Sequence, residues 1–175
     1  MRDEPPSSWQ AWRNAAKCDE IDAGIRSLYD DLAAVVAERR PVCNASGRCC
    51  KFEAYGHRLY VTGLEITWFL GGVSGKNQEA SKDLASSNQS LSLTQLAPAP
   101  NCPYQINGLC STHTIRPLGC RAFFCEEGTE AWQQDTTEHF LERLKKLHLE
   151  HDLPYAYMEW RAGLAEAGRV LGDSL

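Results

Sequence analysis

Apolar residues recur at helical spacing near both ends of the chain. Between residues 9 and 40 they return every three or four positions, which is typical of a helix with one buried face. The positions that carry this pattern are Ile21, Ile25, Leu28, Leu32 and Val35. Pro41 then ends the predicted helix. A second helix is predicted from about residue 129 to residue 151, with its apolar side chains along one side.

The middle of the chain has a different pattern. Residues 52–61 contain β-formers and predict one short strand or hairpin arm. Thr62, with Glu65 three positions later, forms the capping-box pattern of a short helix that we expect to stop at Gly71-Gly72. Residues 73–100 are rich in Ser, Asn, Gln, Ala and Pro. We expect part of this stretch to be helical, around residues 79–85, and interpret much of the rest as a flexible insertion.

The pattern as a whole predicts one mainly α domain. Residues 1–8 are interpreted as a disordered leader, and residues 9–175 as a single domain of ordinary size. Pro154 introduces a last helix that carries Tyr157 and ends near Gly172. A chain of 175 residues with 43% hydrophobic residues can bury a core of its own. The domain therefore does not need a metal merely to fold.

Charge and hydropathy narrow the classes of partner. The net charge of -5 argues against nucleic acid, because phosphate binding requires a basic surface. No apolar run approaches the roughly 20 residues that span a bilayer, so we expect no membrane partner. The N-terminal stretch is polar and has no apolar region typical of a secretory signal. The expected location is therefore the cytoplasm.

Cysteine content is the unusual feature of the composition. The chain has 8 cysteines, and in a non-secreted chain of this size they indicate metal binding or redox chemistry. Cys18 lies alone on the first predicted helix, where we expect it to fill the core as a small apolar side chain. The other cysteines fall into two segments, and we take them as the candidate metal ligands, with Cys50 ranked after the other six: Cys43, Cys49, Cys102, Cys110, Cys120, Cys125 and Cys50.

The number and order of these thiols bear on the kind of site. Thiolates suit zinc, copper(I) and iron–sulfur clusters, and zinc and cluster sites need about four ligands. We expect the two segments to share a site, because residues 43–50 supply too few thiolates to close one alone. Cys49 and Cys50 are adjacent, so on an extended backbone they would point in different directions. They are therefore not expected to be equivalent ligands of one tetrahedral ion.

The spacing leaves the metal undecided. Zinc knuckles have cysteine pairs with two to four residues between them. Cys120 and Cys125, with residues 121–124 between them, meet that rule. Iron–sulfur sites accept wider spacing, and Cys102-Pro103 has the Cys-Pro ending of bacterial ferredoxin motifs. The spacing favours an iron–sulfur cluster slightly over Zn2+.

Several motifs in order give the chain a family resemblance. Residues 43–50 match the pattern C-x2-C-x2-C-C, except that Ser46 stands at the second cysteine. Cys102-Pro103, the run from Cys110 through Arg116-Pro117 to Cys120-Arg121, and Cys125 match the later elements. Over residues 43–125 the chain resembles the YkgJ-type cysteine-cluster family of zinc- or iron-chelating proteins. The resemblance implies metal chelation and, for members labelled as iron–sulfur oxidoreductases, redox activity on an unknown substrate.

Basic residues lie beside the cysteines in sequence. Arg116 and Arg121 either offset the negative charge of thiolates or pair with acidic residues for structural reasons. Arg48 is expected to be solvated.

The histidines are weighed separately. His113 lies inside the motif and would be a fourth ligand or a hydrogen-bond partner of a sulfur, although the resemblance allows tyrosine there. His57 is expected to be a solvated or core residue. His148 and His151 share a helix face, which we interpret as a solvent face.

The sequence therefore predicts helices that frame an irregular, cysteine-rich metal-binding centre with one short strand or hairpin. If the metal is an iron–sulfur cluster, the protein is a redox or electron-transfer protein and could be an oxidoreductase. The alternative is a non-enzymatic zinc-binding module for folding, metal handling or partner docking.

Overall fold

The computed structural model describes residues 8–43, 46–80 and 100–172, with side chains of the fourth helix described to residue 74. Within these residues the chain is mainly helical, with short strands in two antiparallel sheets. The elements are α1 (Ser8–Ala15), α2 (Asp19–Arg39), a 3-10 turn (Arg48–Cys50), α3 (Phe52–Tyr55), β1 (Tyr60–Thr62), α4 (Gly63–Ala80), β2 (Gln105–Ile106), β3 (Leu109–Cys110), α5 (Leu118–Ala122), α6 (Glu130–Glu150), β4 (Tyr157–Glu159) and α7 (Trp160–Leu171). In the described part, no helix is both long enough and apolar enough to cross a membrane.

The first predicted helix is broken into two. Residue Cys18 has the extended backbone angles φ -80 and ψ 126, and α2 begins immediately after it. The break lets α1 bury Trp9 and Trp12, whose rings meet edge to face at 5.0 Å. Trp12 also donates from Nε1 to the carbonyl oxygen of Pro154, at 2.7 Å. Burial of two tryptophans on a separate short helix therefore overrides the continuous pattern seen in the sequence.

The core lies between α1, α2, α4, α6 and α7. The largest fully buried apolar side chains come from these helices and their flanks, and they include Ile25, Leu32, Phe52, Val61, Leu64, Ile66, Phe69, Leu144, Trp160 and Leu164. Phe69 and Trp160 meet edge to face at 4.9 Å and join α4 to α7. The predicted mainly α fold is confirmed by this arrangement.

The start of α4 confirms the predicted capping box. The backbone N–H of Glu65 donates to the Thr62 hydroxyl at 3.2 Å, and the Glu65 carboxylate accepts from the Thr62 N–H at 2.9 Å. The predicted stop at Gly71-Gly72 is wrong, because α4 continues to Ala80. Interior glycine costs a helix only about 1 kcal/mol, which packing can offset, and Ile115 lies against Gly72.

Two other predictions for the middle of the chain need correction. Residues 73–80 belong to α4 rather than to a flexible insertion, and residues 81–99 lie outside the described residues. Residues 52–61 contain the short helix α3 before β1. In this helix Phe52 is buried in the core and Tyr55 is exposed. The predicted leader, apart from Ser8 at the start of α1, also lies outside the described residues.

The C-terminal third follows the prediction more closely. Helix α6 spans Glu130–Glu150, as its apolar periodicity indicates. Tyr157 belongs to β4 and not to the last helix, because β4 pairs with β1 in the register Thr62↔Tyr157 and Tyr60↔Glu159. Glu159 then caps α7 by accepting from the N–H of Ala162 at 2.9 Å.

Candidate metal centre

The first cysteine segment folds into a tight 3-10 turn. Gly47, with φ 65, opens the turn in the left-handed region that favours glycine. A Cβ at Gly47 would lie 1.9 Å from the carbonyl oxygen of Gly108, so only glycine allows this close approach of the β2–β3 hairpin. Gln105 reinforces the approach, since its Nε2 donates to the Gly47 carbonyl oxygen at 2.8 Å.

The β2–β3 hairpin holds part of the second cysteine segment. Its turn is Asn107-Gly108, with φ 51 and φ 82, as a two-residue hairpin of type I′ requires. The sequence analysis missed this hairpin, although the Asn-Gly dipeptide was the available signal. The strand register sets Gln105 opposite Cys110 and so fixes Cys110 next to the 3-10 turn.

Backbone hydrogen bonds join the two cysteine segments. The N–H of Cys102 donates to the carbonyl oxygen of Cys50 at 2.7 Å, and the N–H of Glu53 donates to that of Pro100 at 3.3 Å. The chain around Cys102 therefore runs alongside the 3-10 turn. This contact places cysteines from both segments in one cluster.

Cys50 lies at the centre of that cluster. It is 5% exposed, and its Sγ lies 4.0 Å from the Sγ of Cys49. The neighbouring thiols of Cys102, Cys110 and Cys49 raise the pKa of Cys50. We call Cys49, Cys50, Cys102 and Cys110 the thiol cluster.

The partners of Cys50 shift in the opposite direction. Hydrogen bonding to Cys50 lowers the pKa of Cys49 to about 6 and that of Cys110 to about 5. The same interaction lowers the pKa of Cys102. Cys110 Sγ also lies 3.7 Å from the hydroxyl of Thr112.

The close approach of Cys49 and Cys50 corrects the expectation that they face apart. That expectation assumed an extended backbone, on which successive side chains alternate. The 3-10 turn instead brings both thiols to one side, 4.0 Å apart. They can therefore serve one site together.

Cys120 adjoins the thiol cluster from α5. Burial raises its pKa, and the neighbouring charges of Cys102, Cys110 and Cys49 raise it further. Helix α5 is held in place because the N–H of Leu118 donates to Glu65 Oε1 at 2.9 Å. Cys120 is thus a fifth thiol at the edge of the cluster.

The remaining cysteines lie elsewhere. Cys43 and Cys125 are exposed, and their neighbours meet where the N–H of Val42 donates to Glu126 Oε2 at 3.1 Å. Cys18 is exposed as well, so the prediction that it fills the core is wrong. The break between α1 and α2 turns its side chain away from the core.

The arginines have distinct positions around the cluster. The charge of Arg116 adds to the lowering of the Cys49 pKa and offsets part of the rise in the Cys120 pKa. The Nε of Arg116 is buried without a partner among the described residues. Arg121 donates to the carbonyl oxygen of Arg116 at 2.7 Å and lies 4.1 Å from the Tyr29 ring, and its charge also interacts with Cys120. Arg48 lies over the ring of Tyr55 at 4.4 Å.

The histidines also differ in their surroundings. His113 is close enough to Cys110 for their charges to interact, while burial lowers its pKa. His57 Nε2 lies 3.2 Å from the carbonyl oxygen of Cys49, and its ring stacks on Phe123 at 5.0 Å. His148 is 1% exposed, with Nδ1 2.8 Å from the Pro154 carbonyl oxygen, so its predicted solvent face is wrong.

A cavity of about 340 Å³ opens beside the cluster. Cys49 and Cys120 form part of its wall, together with residues of β1, α5, α6 and β4. The thiols of Cys49 and Cys120 are therefore accessible to small molecules from this side.

Within residues 8–43, 46–80 and 100–172, no three or more His, Cys, Asp or Glu side chains are placed so that they could hold a metal ion.

Comparison with known proteins adds no relative. No family model matches the chain, and neither a curated protein nor a solved structure is significantly similar to it. The resemblance to the YkgJ-type family accordingly stays a prediction that rests on the motifs.

Proposed function

We propose that the protein binds a metal through the thiol cluster, as a cysteine-ligated iron–sulfur or zinc centre. The observation that supports this proposal is the position of Cys50. Its thiol lies 4.0 Å from that of Cys49, its carbonyl oxygen accepts from the N–H of Cys102 at 2.7 Å, and the thiols of Cys102 and Cys110 are near enough to raise its pKa. Four thiolates match the ligand number of a closed zinc site and of common iron–sulfur clusters. Since no three His, Cys, Asp or Glu side chains in the described part are placed to hold a metal, the side chains of Cys102 and Cys110 would have to rotate toward Cys49 and Cys50 when the metal binds.

The donor set fits such a metal in chemistry and in spacing. Two sulfurs on one tetrahedral zinc lie about 3.8 Å apart, which follows from a bond length of about 2.3 Å. The Cys49 and Cys50 sulfurs, 4.0 Å apart, are close to that value. This spacing supports a site in which both bind the same ion, as in a zinc site or at one iron of a two-iron cluster.

The surroundings bear on what the centre would do. A structural zinc site is closed to solvent and substrate, whereas a centre that exchanges electrons or ligands needs an approach. The cavity next to Cys49 and Cys120 provides that approach. This approach favours a redox or electron-transfer role over a purely structural one, with an iron–sulfur cluster as the group that carries the electrons.

The charge around the cluster suits this proposal. Four thiolates on a divalent ion leave a net negative charge, and Arg116 lies where its charge acts on the thiols. Cys120 is the nearest spare ligand, while Cys43 and Cys125 remain outside the first coordination sphere. The proposal thus separates the seven predicted ligands into four ligands, one neighbour and two outlying thiols.

Elemental analysis of anaerobically purified protein tests the proposal. We expect one stoichiometric centre of zinc or iron in the wild type and loss of that metal in Cys50→Ser and Cys102→Ser. A brown protein with visible absorption identifies iron, and a colourless one identifies zinc. Cys18→Ser is the matched control, because Cys18 is an exposed cysteine on another element. Metal-free wild-type protein, or equal metal in Cys50→Ser, would contradict the proposal.

A further inference from the structure

The cavity beside the thiol cluster has the size of a small-molecule site. Its volume of about 340 Å³ lies at the lower end of the range of known ligand pockets. It lies between the β1–β4 sheet, α5 and the exposed side of α6. Cys49 and Cys120 belong to its lining, so a molecule bound there would contact the cluster.

Aromatic side chains form two walls of this cavity. On one side, the ring of His57 stacks on Phe123 with 15° between the planes. On the other, the rings of Tyr60 and Tyr157 lie 5.8 Å apart across the sheet. All four of these residues line the cavity.

Three of these aromatic residues are exposed, although they are large and apolar. Phe123 is 36% exposed, Tyr157 43% and Tyr60 45%, and all three line one cavity. Several large apolar surfaces gathered in one concave place are typical of a binding site rather than of scattered surface residues. The exposure therefore points to a ligand that covers them.

The charges in the wall indicate what that ligand carries. The charged lining residues are Arg58 and Glu138, which are opposite in sign. A ligand that carries a phosphate group would require several positively charged side chains around it. The wall thus favours an uncharged molecule with a flat aromatic surface.

We propose that this cavity binds a small, uncharged, planar aromatic compound and holds it against the thiols of Cys49 and Cys120. The inference rests on the proposed function only in that such a compound would then touch the metal centre. Its binding itself depends on the aromatic walls. The two claims can be tested on the same protein by separate measurements.

Calorimetric titration of the full chain, as purified with its metal, tests the inference. The probe is 2-naphthol, and decahydro-2-naphthol serves as a saturated, non-planar control of similar size. We expect 2-naphthol to bind with a submillimolar Kd and the saturated compound to bind at least about tenfold more weakly. Equal binding of the two compounds, or no binding of 2-naphthol, would overturn the inference.

Two variants locate the binding. Phe123→Ala removes one aromatic wall and should weaken 2-naphthol binding about tenfold. Thr137→Trp, on the α6 face that lines the cavity, should fill it and abolish binding. Ala131→Trp is the matched control, because Ala131 is exposed on α6 and does not line the cavity. Unchanged binding in both test variants, with folding verified by circular dichroism, would overturn the inference.

Metal content is measured on the same samples. Wild-type protein that binds 2-naphthol without metal would support the cavity site and contradict the proposed metal centre. Protein that holds metal but does not bind 2-naphthol would give the reverse result.

Discussion

Two polar centres lie inside this protein, and they are completed in different ways. One is the carboxylate of Glu65, which accepts from the Tyr29 hydroxyl, the Leu118 N–H and both donors of Thr62. The other is the thiol cluster, where weak sulfur donors and acceptors meet around Cys50. Helix α5 connects them, since Leu118 binds Glu65 while Cys120 adjoins the cluster.

The two centres differ in role: the hydrogen bonds of Glu65 stabilise the fold, whereas the thiol cluster offers groups that can bind a ligand. Glu65 is 1% exposed, and four hydrogen bonds satisfy it without any ligand. The thiols lack partners of similar strength, because sulfur is a weak hydrogen-bonding group. We infer that Glu65 and the core stabilise the helical frame without a ligand, whereas the proposed metal would add most to the thiol cluster.

The largest effect is expected from removing the Glu65 carboxylate. Glu65→Ala leaves the hydroxyl of Tyr29 and the N–H groups of Leu118 and Thr62 buried without partners. Each such group costs about 1–3 kcal/mol, so the free energy of unfolding should fall by about 3–9 kcal/mol. Urea denaturation followed by circular dichroism measures this loss.

The control for that variant is Glu142→Ala on α6. Glu142 pairs with Lys145 on an exposed face, and such pairs contribute little to stability. The change should stay within about 0.5 kcal/mol. If Glu65→Ala were no more destabilising than this control, the contrast between the two centres would fail.

Metal removal should have the next largest effect. At a free metal concentration about 1,000 times the Kd, a metal that binds only the folded form adds about 4 kcal/mol. Chelation should therefore lower Tm in the wild type and leave the Tm of Cys50→Ser unchanged. Thermal unfolding with and without chelator measures the difference. An equal Tm shift in both proteins would mean that the cluster is not the site.

A smaller effect is expected from Tyr29→Phe. The variant removes only the hydroxyl that donates to Glu65 Oε1 at 2.8 Å and keeps the ring beneath Arg121. Hydrogen bonds to a charged group contribute about 1.5–3 kcal/mol, so stability should fall by about that amount. Metal content should not change. Tyr60→Phe, at an exposed tyrosine, is the control and should leave the unfolding midpoint in place.

His148 should produce the smallest effect, as a dependence of stability on pH. Burial lowers the pKa of His148, and its Nε2 has no partner among the described residues. The unfolded chain therefore takes up this proton first. The stability contributed by neutral His148 is present above about pH 6.5 and is lost as pH falls through the lowered folded pKa.

Urea denaturation at a series of pH values measures that effect. The stability of His148→Phe should fall less steeply than that of the wild type between about pH 6.5 and pH 5. His139→Phe, at an exposed histidine on the same helix, should follow the wild-type slope. Parallel curves for the wild type and His148→Phe would exclude this role.

Local patterns predicted much of the local structure. The missed Asn107-Gly108 hairpin had a local signal, whereas long-range contacts explain most of the other failures. The capping box was readable because Thr62 and Glu65 are neighbours in the chain. The bonds from Tyr29 and Leu118 to Glu65 come from distant elements and leave no local signal. In the same way, the burial of His148 depends on Pro154 and on the packing of α1 beyond it.

The cluster shows both sides of this limit. Its cysteines and their two segments were evident from the sequence, as was the expectation that the segments meet. The 3-10 turn at Cys49-Cys50 was not, because it depends on Gly47 and on the hairpin that packs against it. The outlying positions of Cys43 and Cys125 likewise follow from tertiary structure.

X-ray absorption spectroscopy of the anaerobically purified protein tests the central claim most directly, because it reports the ligands of the metal itself. We predict four sulfur ligands at about 2.3 Å, reduced in number or lost altogether in Cys50→Ser and unchanged in Cys18→Ser. A further metal neighbour beyond the sulfur shell would identify an iron–sulfur cluster, and its absence a single ion. A first shell dominated by nitrogen or oxygen, or a sulfur shell that persists intact in Cys50→Ser, would contradict a metal centre built by the thiol cluster.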